Sequence, residues 1–335
     1  MERGIFESSQ SITYKDLLPP HELDVLKKVS PILGLMNIAL IWGCIALLLF
    51  CLFTLYESSW LLLLLGVIPG IVLVGILQNA VVELAHEAAH RLIHPTKYVN
   101  DAFAVLFLAW PLGIPFFLWR RTHLMHHASF GDEDNDPDLP EYRNTPGSSK
   151  EIVTWIIRSL FGIEGILRCV EILKSSRTLQ KKTKKDGSKT FGKLFESAAV
   201  PILHVCLLGS VAFQFGLIGL FLLVLFWYYP LFSVCQPIQR WRLWVEHGWV
   251  PQFETSFSLK QVMYVLDRTR STVGDSLMRK AIGPFGINYH IEHHLYARVP
   301  QYNLPELHAL LMKNSAYKNF ACIGSQYTKN CTREK

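Results

Sequence analysis

Eight of the thirteen histidines in this chain fall in three short boxes. They are His86-Glu87-Ala88-Ala89-His90, His123-Leu124-Met125-His126-His127 and His290-Ile291-Glu292-His293-His294. Each box adjoins a long apolar stretch. Imidazole is costly to bury without a partner, so three clusters of it beside apolar segments are hard to explain as packing. They are readily explained as metal ligands. Any fold this chain adopts must therefore bring distant parts of the sequence together around metal.

The remaining composition narrows the class. The chain has 335 residues, half of them hydrophobic, and a positive mean hydropathy, which is too apolar for an ordinary soluble domain and points to a membrane protein. The net charge of +6 reads as a cytoplasmic face near anionic lipid, and no motif suggests a nucleic-acid partner. Because the boxes spread from 86 to 294 and have to converge, residues 1–335 read as one domain. About 1–30 is expected to be a cytosolic N-terminal segment without a signal peptide, and about 174–193 a basic cytosolic loop. The seven cysteines form no C-x-x-C pair and read as small buried hydrophobes in a reducing setting.

Crossing about 30 Å of hydrocarbon at about 1.5 Å per residue takes about 20 apolar residues. Four segments qualify, at about 31–55, 59–80, 197–213 and 216–236. The turns near Tyr56-Glu57-Ser58-Ser59 and Gln214-Phe215-Gly216 carry no basic residue, whereas Lys27, Lys28, Arg120, Arg121, Arg240, Arg242 and the run from Lys181 to Lys193 fall on the other side. The positive-inside rule then places both termini and all three boxes in the cytosol. A fifth apolar run, about 102–119, lies between two boxes and contains Pro111, Gly113 and Pro115. A single crossing would separate those boxes by a bilayer, so this run is expected to be re-entrant or interfacial. Residues 152–173 read as an amphipathic interfacial helix. The expected fold is all-α: a polytopic membrane protein of four transmembrane helices under a cytosolic, histidine-rich di-metal cap.

Helix spacing explains the boxes. Positions i, i+3 and i+4 share a face, so H-x-x-x-H and H-x-x-H-H aim imidazoles at common points. A continuous second helix places His86 and His90 about 10–16 Å past the hydrocarbon edge. His247, in Trp244-Val245-Glu246-His247-Gly248, reaches a similar height after the fourth helix and is a ninth candidate ligand. So many nitrogen donors exceed what one four-coordinate zinc needs and suit two borderline metals such as iron. Glu87, Asp136, Asp138, Glu246, Asn288 and Glu292 lie in or beside the boxes and are candidates to orient the ligands. His94, His204, His21 and His308 read as a residue beyond a helix end, a helix contact, and two surface or capping residues. Phe116, Phe117, Trp119, Trp241 and Trp244 read as an interfacial belt, and Lys181, Lys182, Lys184 and Lys185 as contacts for lipid headgroups or an acidic electron donor.

The combination resembles the membrane fatty acid desaturase superfamily, with its related lipid hydroxylases and carotenoid ketolases. The resemblance rests on the three boxes, on Asn288 before the third, on Asp136-Pro137-Asp138 after the second and on Glu246-His247, and it covers about 60–310. It implies an oxygen-dependent enzyme with two iron ions, ligated by His86, His90, His123, His126, His127, His247, His290, His293 and His294. O₂ would be co-substrate. Electrons would come from a separate carrier, a ferredoxin or cytochrome b5-type protein. The substrate would be a lipid acyl chain in the bacterial inner membrane or endoplasmic reticulum, with desaturation expected and hydroxylation or ketolation as the alternatives. His290 at the start of the third box and the absence of His-Pro-Gly-Gly set the chain apart from relatives fused to a haem domain. A rival reading takes His86-Glu87-x-x-His90 as a zinc metalloprotease motif, and a metal transporter is a further one.

Overall fold

Long uncharged runs of Leu, Ile and Val give the first two long helices, Pro31–Ser58 and Trp60–Ala89, separated only by extended Ser59. They pack side by side, with Leu52 against Gly66 and Gly70. The computed structural model describes residues 13–183, 190–251 and 262–328. Among the described residues, three helices are long and apolar enough to cross a membrane, at Pro31–Ser58, Leu64–Ala89 and Glu196–Gly248, and a bent pair makes a fourth if it counts as one span. With Leu40, Leu47, Phe50, Leu65 and Ile68 all exposed, these helices present the apolar exterior expected of a protein in lipid.

The chain forms two compact units. One comprises Pro31–His123 and Pro146–Gln239, the other Met1–Ser30, Leu124–Thr145 and Arg240–Lys335.

In the first unit, the third and fourth apolar segments lie on one helical run of 53 residues. Gly216, at φ 66° and ψ −164°, breaks it. His204 Nδ1 and Tyr228 Oη meet at 2.7 Å, although 24 positions apart they would be about 36 Å apart on a straight helix. The run therefore folds back into two arms at the turn expected from Gln214-Phe215-Gly216. Gly75 packs where a Cβ would lie 2.4 Å from Val234, the close approach small residues allow between apolar helices.

The fifth apolar run is broken. Helix Lys97–Phe103 continues as a π-helix, Ala104–Ala109, and a 3-10 turn, Trp110–Leu112; Gly113 then takes φ 74° and the chain restarts as helix Phe116–Ser129, bent by 96°. Stranded backbone groups in apolar surroundings need other partners. Trp42 Nε1 donates to Phe107 O (2.8 Å), and Trp227 Nε1 to Pro111 O (3.1 Å). His204 Nε2 lies 2.8 Å from Trp110 O. Glu196 accepts from Phe116 N (2.7 Å), Phe117 N (2.9 Å) and Trp110 Nε1 (3.0 Å). His204 is a helix contact, as its isolation in an apolar run suggests, and the group it holds is the break itself.

Helices Ser149–Leu160 and Ile163–Thr183 cover the expected amphipathic stretch. They expose Val153, Ile156, Ile157, Leu160, Phe161 and Ile166, so their apolar face looks outward. The second of them extends to Thr183 and the next helix starts at Thr190, so most of the expected basic loop is helical. Lys184 and Lys185 lie outside the described residues, as do the side chains of Lys181 and Lys182.

The second unit has its own core. Leu17, Leu18 and Leu26 of the N-terminal segment pack with Leu304, Leu307, Leu311 and Tyr317, so this segment is part of the fold. The chain is nearly all-α, as expected, and adds only a small parallel pair of strands, Arg270–Thr272 and Cys322–Gly324, in register Arg270↔Cys322. The cysteine expectation is corrected, since Cys322 is disulfide-bonded. Cys331 lies outside the described residues. The aromatic belt also fails in part: Phe116 and Trp244 are buried core residues.

Replacing His204 with leucine should remove the partner of the Tyr228 hydroxyl and one of the two donors on Trp110 O, which keeps Gly113 N. Unfolding in detergent should show a loss of about 1–3 kcal/mol; an unchanged melting temperature would mean that the break needs no such partner.

Candidate metal centre

In the first unit, His86 lies on the last turn of helix Trp60–Ala89 and His90 caps it. The helix stops there because Arg91 turns to φ 62°. The carbonyl of Ala88 is taken by Asn100 Nδ2 and Arg120 Nη2, both at 2.9 Å, and Asp101 pairs with Arg120. The end of the helix is thus fixed from behind. His90 Nε2 lies 2.7 Å from His123 Nε2, and the rings of His86 and His123 are 4.3 Å apart. The ligand atoms of all three lie within 4.8 Å of one another. Burial, helped by the Arg120 charge, pushes the His90 imidazole down to about 3, which leaves it neutral. Trp119 stacks on His123.

The second box lies on helix Phe116–Ser129, whose first turn is capped by Glu196. Its later histidines belong to the second unit. There His126, His247 and His294 form a buried group whose ligand atoms lie within 4.8 Å of one another. His290 Nε2 is 2.9 Å from His247 Nε2 and 3.1 Å from His294 Nε2. His293 and His127 meet at 3.0 Å through their Nε2 atoms. Burial and the surrounding imidazoles hold His294 neutral, far below its ordinary value. Phe130 packs on His247, His294 and His126 at 4.8, 5.0 and 5.4 Å.

Three of the carboxylates named as orienting candidates, Asp136, Asp138 and Glu246, lie beside imidazole nitrogens. Asp136 Oδ1 takes the Nδ1–H of His126 at 2.9 Å, and Asp138 lies 3.8 Å from the same nitrogen. Asp136 also accepts from Gly131 N (2.8 Å), Asp138 N (3.0 Å) and the Tyr142 hydroxyl (2.6 Å). Burial works against its charge, but His126 and these hydrogen bonds keep its carboxyl below the usual range. Of the rest of the acidic run, Asp132 closes the turn onto Asp134 N and Asn135 N, while Glu133 pairs with Arg143 at the surface. Glu246 lies 3.4 Å from His290 Nδ1 and 3.0 Å from Arg242 Nε.

Two others serve the scaffold. Asn288 donates to Thr272 O (2.8 Å) and accepts from Arg279 (2.9 Å). Glu292 accepts from Ser271 Oγ and binds Tyr317 and His308. His308, read from sequence as a surface or capping residue, is therefore an anchor behind the third box. Glu87 is buried within the first box. Sequence reasoning missed Glu196 and Arg120, although an isolated charge inside an apolar run was a usable signal for the former.

The donor set fits metal. With Nδ1 of His126 donating to Asp136, its Nε2 presents a lone pair. The Nε2 pairs at 2.7–3.1 Å match neighbouring ligands on one ion, since nitrogen bonds of about 2.1 Å at right angles put donors about 3 Å apart.

Apolar helices and closely grouped imidazoles define a membrane protein with histidine clusters suited to metal. The sequence profile of the fatty acid desaturase family matches residues 58–325, which include all three boxes and His247, and the chain belongs to that family. Dihydrorhizobitoxine desaturase of Bradyrhizobium elkanii is 26% identical over 80% of this chain and 72% of its own. The sn-1 oleoyl-lipid 12-desaturase of Picosynechococcus sp. is 25% identical over 92% and 85%. The Delta(8)-fatty-acid desaturase of Euglena gracilis is 24% identical over 70% and 58%. The protein is thus an oxidoreductase of the desaturase type. His86, His90 and His123 with Glu87 would by themselves suit one zinc, but a protease leaves six further clustered histidines without a role. The polar residues that would suggest transport are ties between helices: Gln78 donates to Trp227 O, and Asn79 accepts from Gln239.

Asp136→Asn should keep the shape and lose the charge that orients His126. Competition with a chelator should show metal affinity reduced about 10–100-fold; an unchanged affinity would remove Asp136 from the centre.

Proposed function

We propose that this protein introduces a double bond into a fatty acyl chain of a membrane lipid, using two iron ions held by nine histidines. The observation that supports the reading is the close grouping of imidazole Nε2 atoms within each unit, inside the family-matched region. His126, His247, His290 and His294 hold one iron. His86, His90 and His123 of the first unit and His127 and His293 of the second are the remaining donors of the proposed set, and the chain acts as one functional domain.

Iron in such a ligand set supplies the binding and reduction of O₂ and the power to remove hydrogen from an unactivated methylene. In balance, –CH₂–CH₂– with O₂, two electrons and two protons gives –CH=CH– and two waters. The electrons come from a separate carrier, a ferredoxin or cytochrome b5-type protein. The protein's own residues set the geometry. Asp136 fixes the tautomer and ring plane of His126 through the hydrogen bond to its Nδ1, and Glu246, itself held by Arg242, sets a carboxylate 3.4 Å from Nδ1 of His290. Glu292 locks the helix of the third box through Ser271, whose hydroxyl also accepts from Ile291 N. Phe130 shields three of the imidazoles from water.

Four spans cross the bilayer in this reading: the first two long helices and the two arms that meet at Gly216. The bent run 97–129 enters and returns on one side, supported by the side chains that satisfy its broken backbone. Helices Ser149–Leu160 and Ile163–Thr183 lie along the interface. Both termini and the histidines face the cytosol, by the distribution of Lys and Arg.

Elemental analysis of protein purified anaerobically in mild detergent should find two irons per chain, lost in both His126→Ala and His293→Ala. One zinc per chain, retained in both variants, would defeat the proposal. Lipids of cells expressing the wild-type chain should gain an unsaturated acyl species that His293→Ala does not make.

A further inference from the structure

The segment just before the third box has no part in holding iron, yet it shapes a cavity. Side chains between Val273 and Tyr289, with Tyr302 and Pro305, line an open cavity of about 670 Å³ in the second unit. Arg279 and Lys280 line it with Asp275, Phe285 and Tyr289. The Arg279 side chain is 14% exposed; Nη1 donates to Asn288 Oδ1 at 2.9 Å and Nη2 lies 3.6 Å from Asp275. Its buried Nε has no acceptor among the described residues. Lys280 pairs with the same exposed Asp275 at 2.8 Å. Two cations against one carboxylate leave a single positive charge facing the cavity.

Two more observations specify the ligand. Phe285 sits at φ 60°, one of two non-glycine residues with positive φ among those described, and such conformations recur where a fold is shaped around a ligand. Immediately before the cations, Leu277 is 86% exposed and Met278 59% exposed. Consecutive bare apolar side chains followed by two bases match the interface of a lipid, with apolar contact below and phosphate above. A phosphodiester carries the one negative charge that balances the cavity, and a guanidinium fits its paired oxygens. Tyr289 lines the cavity and directly precedes His290.

We propose that this cavity is a subsite for the phosphodiester headgroup of a glycerolipid, held by Arg279 and Lys280, with Leu277 and Met278 against the acylglycerol portion. The inference rests on the acyl-lipid reading above and adds a fixed point from which the acyl chain starts toward the third box.

The test uses full-length, metal-free protein in a neutral detergent, titrated calorimetrically with dihexanoylphosphatidylglycerol and separately with inorganic phosphate. The short lipid should bind saturably, at one per chain, and at least ten times more tightly than phosphate. Lys280→Glu and Arg279→Lys should each weaken it five-fold or more, and Leu277→Ser with Met278→Ser should weaken the lipid while leaving phosphate unchanged. Equal binding of lipid and phosphate, no saturable lipid binding, or variants that all bind like wild type would each overturn the proposal. Iron content of parallel preparations separates the two readings: two irons without lipid binding defeats only the subsite, and lipid binding by a chain that never takes iron defeats the desaturase centre.

Discussion

A helix that breaks in apolar surroundings strands its carbonyls and amides, and water is not there to take them. The helix carrying the second histidine box begins at such a break. Four side chains from distant segments, Trp42, Glu196, His204 and Trp227, meet the stranded groups. Glu196 matters most, because a carboxylate at a helix N-terminus both accepts the free amides and balances the helix dipole. The direction in which His123 points follows from that cap.

The carboxylates near the histidines divide into two kinds of work. Asp136 and Glu246 lie against imidazole nitrogens, at 2.9 Å from His126 and 3.4 Å from His290. Glu292 and Asn288 act on backbone and neighbouring strands and so fix where the third box stands. Both kinds are buried, and Asp136 and Glu292 each meet several donors, as a charge removed from water requires.

Much of this was legible in the sequence. Apolar length located the starts of the first two helices and the end of the first to within a few residues, while the second runs on to Ala89; Gln214-Phe215-Gly216 marked the turn of the third. Pro111, Gly113 and Pro115 foretold the break between two boxes, because backbone rules act locally. Histidine spacing foretold which residues cluster. The partners of buried carboxylates were not legible: Glu292 and Asp136 both neighbour a box, and only tertiary packing decides that one meets Ser271 and the other His126. The parallel strand pair was equally hidden, since three residues such as Arg270–Thr272 carry no periodic signal. The burial of Phe116 and Trp244 was missed because aromatic residues at an interface and in a core look the same in sequence.

His247 stands on a π-helical turn, Trp244–Gly248, where the backbone holds one residue more than an α-helix would. One residue is about 100° of rotation on a regular helix. The ninth imidazole thus reaches His290 by virtue of phase as much as identity. A chain of the same composition with this turn rewound would keep its helix, its arginine and its histidine, and point that histidine elsewhere. In this fold the ligand count is written partly in the pitch of a helix, where residue-by-residue comparison does not look.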